Sequence, residues 1–375
     1  MKPRIVIDAR MYEPGIGISR YLSQLLEQFK LLKLTKKFEL ILIVKKDRQK
    51  EIRSWLGNGF QYCPARSKHY SLGEQIEIPY LLWKLKPDLV HFPHFNVPLW
   101  GSGKFVVTIH DLIKHHFSGR QTTTKNQSLY LVKRFGYLFV SRQAIKKAQA
   151  IIVPSAYWQK ELVSNFKISP DKVNVTHEAV DPNFGKLSGD GKRVLKEYRV
   201  KQPFFLYVGS VYPHKNVISL LRAIKKTAST RLVIVCSRNV FVDRLEKMVR
   251  KMGLEKRVSF TGFVADDKLA WLYHQATALV HPSLMEGFGL TGLEAMAVQC
   301  PVLSSTASCL PEIYGPAVLY FDPLNPDQIA DCLTKINQPA VAKKLIDLGN
   351  QQVKKYSWAK MARQTIQIYE DCLSL

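Results

Sequence analysis

Short apolar runs, each followed by a stretch of helix-forming sequence, recur along this chain in two successive cycles, and that alternation restricts the possible folds more than any other feature. The first cycle reads Arg4 to Arg10, Phe38 to Val44, Leu89 to Phe92, Phe105 to Ile109 and Ala150 to Val153. The second reads Phe204 to Gly209, Arg231 to Cys236, Val258 to Phe260, Thr277 to Val280, Pro301 to Leu303 and Val318 to Phe321. Strand-length runs separated by helices are the pattern of a parallel α/β sheet, since parallel strands need a crossover connection. Two cycles therefore predict two doubly wound domains, over residues 1–181 and 201–357. Residues 182–200, opening on the Gly, Ser, Asp and Lys-rich stretch around Asp181 to Lys192, read as a linker. Residues 358–375 carry Trp358, Met361, Ala362, Thr365, Tyr369 and Cys372 at helical spacing, which predicts a helix with one packing face. The 375 residues, 46% of them apolar, can fill both cores. Open α/β sheets bind ligands outside the carboxyl ends of their strands, so the expected site is a cleft faced by both domains.

The densest chemistry lies in Glu286-Gly287-Phe288-Gly289-Leu290-Thr291-Gly292-Leu293-Glu294. Thr277 to Val280 precedes it as a buried strand, and Leu293 to Val298 follows as helix formers, so the segment forms a strand-to-helix corner. Its glycines let the backbone approach a ligand, and the free amides of a helix start suit a diphosphate. Glu286 and Glu294 remain to accept from vicinal hydroxyls, one on a transferred sugar and one on a ribose. From spacing alone, an ordinary βα corner with two uninvolved glutamates fits equally well.

The wider text around that corner, Pro282-Ser283-Leu284-Met285 before Glu286 and Ala295-Met296-Ala297 with Pro301-Val302 after it, closely resembles the signature of retaining GT-B glycosyltransferases of family 4. Ser308 to Ile313 and Ala317 to Pro323 resemble the loop and strand that follow in that family, in the same order. The resemblance implies two Rossmann-like domains facing a cleft, a nucleoside diphosphate sugar held by the second domain, and a last helix that crosses back to the first. It places Gly287, Phe288, Gly289, Leu290, Thr291 and Glu294 around the donor and Glu286 on its sugar.

Other segments extend the resemblance. Gly209-Ser210-Val211-Tyr212-Pro213-His214-Lys215 looks like the family turn after the first strand of the nucleotide domain, with Gly209 and Ser210 beside the donor. Lys215 there can stabilise charge on a leaving diphosphate, although a lone lysine is more often a surface charge. Many relatives place an arginine where this chain has Ser210. Val107 to Leu112 resembles a motif whose histidine, here His110, lies near the donor sugar and bonds it through its ring or its backbone carbonyl. The alternative for His110 is a buried histidine capped by Asp111. His91 to Asn96 resembles a loop near the same site, which marks His94, Asn96 and Asp111 as acceptor-side residues. Gly15 to Tyr21 looks like the family loop Gly-Ile-Gly-Arg-Tyr with Ser19 replacing a glycine, and Gly17 carries over as a donor or acceptor contact. No Asp-x-Asp pattern or ligand-spaced histidine cluster occurs, so neither metal nor other cofactor is expected. Asp266-Asp267 reads as the cap of a helix beginning near Leu269.

Charge and cysteines bound the setting. Lys plus Arg number 55 against 30 Asp plus Glu, a balance of +25. Residues 1–181 hold 29 basic and 14 acidic residues (+15), and 182–375 hold 26 and 16 (+10). No helix-turn-helix, zinc-finger or RNP-like pattern accompanies the charge, which argues against nucleic acid. Ser128 to Ala150, apolar and interrupted by Lys133, Arg134, Arg142, Lys146 and Lys147, suits an anionic membrane surface; a core helix with a solvated basic face suits it as well. Six scattered cysteines without a CxxC pair, and no run of about 18 apolar residues, predict a cytoplasmic protein with reduced thiols, peripheral to the cytoplasmic membrane face.

The resulting expectation is a metal-independent retaining hexosyltransferase acting on a saccharide or lipid-linked saccharide by a front-face mechanism. Resemblance of His91 to Leu99 to mannosyltransferases of surface polysaccharide pathways favours GDP-mannose as donor. Two alternatives remain: a non-catalytic basic protein that binds a nucleotide sugar or polyanion, and a GT-B-like nucleotide-sugar epimerase, for which no acid and base pair can be placed.

Overall fold

A computed structural model describes residues 2–13, 17–117, 127–187 and 189–374. The described chain divides into two compact units. The first comprises residues up to His115, 127–178 and 357–374; the second comprises 179–356 with His116 and Phe117.

In the first unit seven parallel strands, β1 (Arg4–Asp8), β2 (Glu39–Lys45), β3 (Gln61–Ala65), β4 (Leu89–Phe92), β5 (Phe105–Thr108), β6 (Ala150–Val153) and β7 (Val173–Val175), run in the order β3-β2-β1-β4-β5-β6-β7. Every residue of β4, β5 and β6 is buried, as expected of a parallel sheet covered on both faces. The strand order reverses between β1 and β4, which sets the ligand-binding switch point of this sheet at their carboxyl ends. The helix Trp358–Ser374 belongs to this unit and turns the predicted apolar stripe inward. Tyr369 packs edge-on against Phe29, with centroids 5.9 Å apart, and its hydroxyl lies 2.5 Å from His91 Nδ1.

In the second unit six parallel strands follow: β8 (Phe205–Val208), β9 (Leu232–Val235), β10 (Val258–Gly262), β11 (Ala278–His281), β12 (Val302–Ser305) and β13 (Val318–Phe321). Their order is β10-β9-β8-β11-β12-β13, with the reversal between β8 and β11. Leu220, Leu221 and Ile224 of the helix Val217–Lys226 pack with Leu232, Ile234 and Val280 in its core. All six strands read from the second cycle are present. In the first cycle the sequence pattern missed β3 and β7, the two edge strands.

Two local expectations differ from the structure. Asp266 and Asp267 are not caps: the helix starts at Asp266, Ala265 precedes it without a side-chain cap bond, and the two carboxylates occupy the first turn, where they favour the positive end of the helix dipole. Residues 191–197, read as linker, form a helix capped by the Asp190 side chain on Lys192 N. Gly191 there lies so close to Trp271 that a Cβ would meet its ring at 2.5 Å, so the close approach of backbone to indole requires glycine.

Candidate functional site

In the second unit the carboxyl ends of β8 and β11 flank the switch point, and the loops beyond them bring Lys215 and Glu286 together. Lys215 closes the one-turn helix Pro213–Lys215 after β8, and its Nζ donates to both Glu286 oxygens at 2.7 Å. His281, the last residue of β11, approaches Glu286 Oε1 with Nε2 at 2.7 Å, and Ser283 Oγ donates to the same oxygen at 2.7 Å. The Glu286 backbone amide donates to Ser308 Oγ at 3.0 Å. Burial opposes ionisation of Glu286, but Lys215 and His281 override it and hold the carboxyl well below its usual range. Four hydrogen bonds thus fix a buried carboxylate against a half-buried lysine at the position where an open sheet binds ligands.

Asn216 locks the loops that carry this pair. Its left-handed backbone (φ 55°) is one that asparagine tolerates, and its Nδ2 donates to the Pro282 and Pro323 carbonyls at 3.1 and 2.7 Å. Leu284 N donates to the His214 carbonyl at 2.8 Å, a second tie between the β8 and β11 loops. Burial, with Lys215 nearby, pushes the His214 imidazole down to about 4, so it stays neutral at physiological pH.

Two glycines of the corner, Gly289 and Gly292, make room for the protein's own packing. Tyr314 donates its hydroxyl to the Gly289 carbonyl at 2.6 Å and lies 2.8 Å from His281 Nδ1. A Cβ at Gly289, whose φ is +98°, would meet the Tyr314 hydroxyl at 2.7 Å, and one at Gly292 would meet the ring at 2.3 Å. The close approach predicted for a ligand is therefore, at these two positions, an approach by Tyr314. The His281 ring thus bridges the Tyr314 hydroxyl, through Nδ1, and the Glu286 carboxylate, through Nε2. A chain of bonds so runs from the helix start at Gly289, through Tyr314 and His281, to Glu286.

The remaining predicted donor residues surround this pair. Gly289 precedes the helix Leu290–Ala297, whose first amides have no intrahelical acceptor; Gly287, Leu290 and Thr291 are half-buried, and Phe288 is buried against Tyr356. Cys309 Sγ lies 3.3 to 3.5 Å from the carbonyls of Glu286, Gly287 and Phe288, and burial raises its thiol well above the ordinary range. Glu294 is buried and accepts from the Tyr273 hydroxyl at 3.4 Å. Gly209 follows β8 with φ +136°, and the Ser210 carbonyl accepts from the Tyr207 hydroxyl.

The first unit holds the other predicted residues near its own switch point. His110 Nε2 donates to the Pro93 carbonyl at 3.1 Å and Nδ1 lies 3.1 Å from Glu178 Oε1, so both ring nitrogens have protein partners. Asp111 accepts from Ile113 N at 3.0 Å, at the start of the short helix Ile113–His116. Burial holds His94 well below the usual imidazole range, and its Nδ1 accepts from Asn96 N at 3.3 Å. Asn96 donates through Nδ2 to Glu74 Oε1 at 2.8 Å. Glu74 in turn shares the buried Arg10 with Asp8, which Arg10 grips in bidentate fashion at 2.9 and 2.7 Å. Gly17 opens the helix Gly17–Leu31, and a Cβ there would meet nothing within 4 Å; Gly15 and Ile16 of that predicted turn lie outside the described residues.

Residues 193–351 match the model of the family described as Glycosyl transferases group 1, and residues 17–184 match that of Glycosyltransferase Family 4. This chain is a family 4 glycosyltransferase. It is 29% identical over 293 residues to O-antigen chain mannosyltransferase B of Escherichia coli, spanning 76% of this chain and 74% of that one. Over 260 residues it is 26% identical to O-antigen chain mannosyltransferase RfbU of Salmonella typhimurium, 66% of this chain and 67% of that one. The GT-B fold is shared with sucrose-phosphate synthase from Thermosynechococcus elongatus (TM-score 0.76, 21% identity, 100% of both chains). It is shared also with Anabaena HepE in complex with UDP (TM-score 0.72, 18% identity, 99% of this chain and 100% of that one).

In this glycosyltransferase, reasoning from motifs reached Glu286 and Lys215 but missed His281, Ser283, Asn216 and Tyr314, which hold them. His281 and Ser283 flank the proline at the end of a strand, a signal that was present. Tyr314 stands 33 residues from His281, and nothing local marks it.

Proposed function

We propose that this glycosyltransferase moves a hexose, mannose first, from a nucleoside diphosphate sugar to a saccharide or lipid-linked saccharide, with retention of configuration and without a metal. The observation that carries the reading is the Lys215–Glu286 pair at the β8–β11 switch point, beside the start of the helix Leu290–Ala297. In this reading the helix amides near Thr291 receive the diphosphate. Hydroxyls of the sugar take places on Glu286 as Lys215 shifts to the leaving phosphate, and Glu294 accepts from the ribose. The acceptor hydroxyl approaches the face from which the diphosphate departs: its oxygen bonds to the anomeric carbon as the bond to phosphate breaks, and its proton passes to a departing phosphate oxygen. His110, whose ring nitrogens are engaged, contacts the sugar through its backbone carbonyl. His94, Asn96 and Asp111 border the acceptor. Mannose rests on the activities named for the relatives above and GDP-mannose on the resemblance of His91 to Leu99 to mannosyltransferases, and the excess positive charge supports work at the cytoplasmic membrane face.

The test is transfer from GDP-mannose, with UDP-, ADP- and dTDP-sugars as comparisons, to mannosyl oligosaccharide and lipid-linked acceptors in EDTA, with the product anomer read by NMR. Transfer with retention supports the reading. An inverted product, or transfer only after a divalent ion is added, overturns the mechanism. Tight donor binding with neither transfer nor donor hydrolysis supports the binding-protein alternative.

A further inference from the structure

From Leu112 through Lys160, both included, the chain carries nine Lys or Arg and not one Asp or Glu. The helix Gln127–Lys147 lies in this span and exposes Lys133, Arg142, Lys146 and Lys147. It also exposes Leu131, Val132, Phe135 and Phe139, with Phe135 73% accessible, while Ser141, Ala144 and Ile145 are buried. A surface helix ordinarily turns its apolar residues to the core and keeps polar ones outside. This helix is apolar on both sides.

A second helix in the same unit repeats the anomaly. Glu74–Leu85 buries Glu74, Ile78 and Leu82, and turns Ile76, Tyr80 and Trp83 to solvent, with Leu72 exposed just before it. Trp83 is 72% accessible and its ring stacks on Tyr80 at 6.2 Å. The two helices flank one loop. Phe95 packs edge-on against Tyr137 at 4.8 Å, Lys147 Nζ donates to the Leu99 carbonyl at 2.8 Å, and Leu99 N donates to Gln75 Oε1 at 3.0 Å. Trp100, exposed, belongs to that loop, which also touches the second helix at Gly101 and Pro79.

We infer that this face of the first unit docks on an anionic lipid leaflet. Aliphatic side chains, tryptophan and tyrosine enter the interfacial region, and lysine and arginine meet the headgroups. Charge selects the occupant: a second copy would set one acid-free helix against another, and nucleic acid would leave Leu72, Ile76, Leu131 and Val132 without a role. The inference deepens the membrane placement proposed above and is independent of the transferase chemistry, since its test contains no sugar nucleotide.

The full chain is floated with phosphatidylcholine vesicles, with or without roughly a third phosphatidylglycerol, at low and high salt. Four forms are compared: wild type, Tyr80→Ser/Trp83→Ser, Phe135→Ser/Phe139→Ser, and Lys146→Ser/Lys147→Ser. The thermal melts of the two apolar variants should coincide with that of wild type, because the substituted side chains face solvent. Anionic vesicles should retain wild type about tenfold better than neutral ones, and each double variant should lose binding about fivefold or more. Equal retention on both lipids overturns the proposal. So does full binding by both apolar variants, or a wild-type dimer in light scattering that Tyr80→Ser/Trp83→Ser makes monomeric.

Discussion

Glu286 accepts from Lys215, His281 and Ser283 at once, so its neighbours can be tested separately from its charge. Glu286→Gln keeps the shape but removes the charge that holds Lys215, and transfer should fall about 100- to 1000-fold, read as kcat/KM on the favoured donor. Gly292→Ala drives a Cβ into the Tyr314 ring; it should cost about 1–3 kcal/mol in a denaturant melt, whereas a glycine kept only for a ligand would leave stability unchanged. The sequence marks Glu286 and Lys215 because each lies in a local run of turn and helix residues. It cannot mark the purpose of Gly289 and Gly292, since the tyrosine that requires them arrives from a later helix. Nor does it show that Asn96 spends its amide on Glu74, because the partner lies 22 residues earlier on a helix whose glutamate looks like a surface residue.

Among the elements, the helix Trp358–Ser374 has the clearest structural consequence, because it brings Tyr369 to His91 on β4. Tyr369→Phe leaves a buried imidazole nitrogen without its partner and should destabilise the protein by about 1–3 kcal/mol, measured by chemical denaturation; an unchanged midpoint would show that the bond contributes nothing. The buried face of this helix was legible from its helical spacing. Strands β3 and β7 were not. Gln61-Tyr62-Cys63-Pro64-Ala65 is partly exposed and contains a proline, as an edge strand can, and β7 has only three residues, so neither offers the continuous apolar run that reveals the central strands. The helix at 191–197 was hidden in polar sequence, and Gly191, read as a linker residue, is the contact point for Trp271.

For the whole molecule, the buried histidines predict acid sensitivity. Burial, with His110 nearby, brings His91 down to about 3, and burial brings His214 to about 4, so both fold as neutral imidazoles while the unfolded chain protonates near 6.5. Below 6.5 the unfolded state binds more protons, so stability falls with pH, by roughly 1.4 kcal/mol per unit for His91 until its folded value is reached. Glu286 has the same sign in a lower window: its depressed value adds stability above the ordinary carboxylate range, and that stability is lost as the pH falls into stronger acid. The denaturation midpoint should therefore drop steadily from pH 6.5 to 5, and a flat profile would contradict it. The two sheets were legible at this scale because buried parallel strands leave unbroken apolar runs, whereas the loops at their carboxyl ends are ordered by contacts distant in sequence. The central claim, that the Lys215–Glu286 corner holds the donor, is tested most directly by calorimetric titration of wild type, Lys215→Ala and the first-unit control His94→Ala with GDP-mannose and the other nucleotide sugars in EDTA. The account predicts binding of one nucleotide, weakened about tenfold or more by Lys215→Ala and little changed by His94→Ala. Unaltered affinity in Lys215→Ala would contradict it.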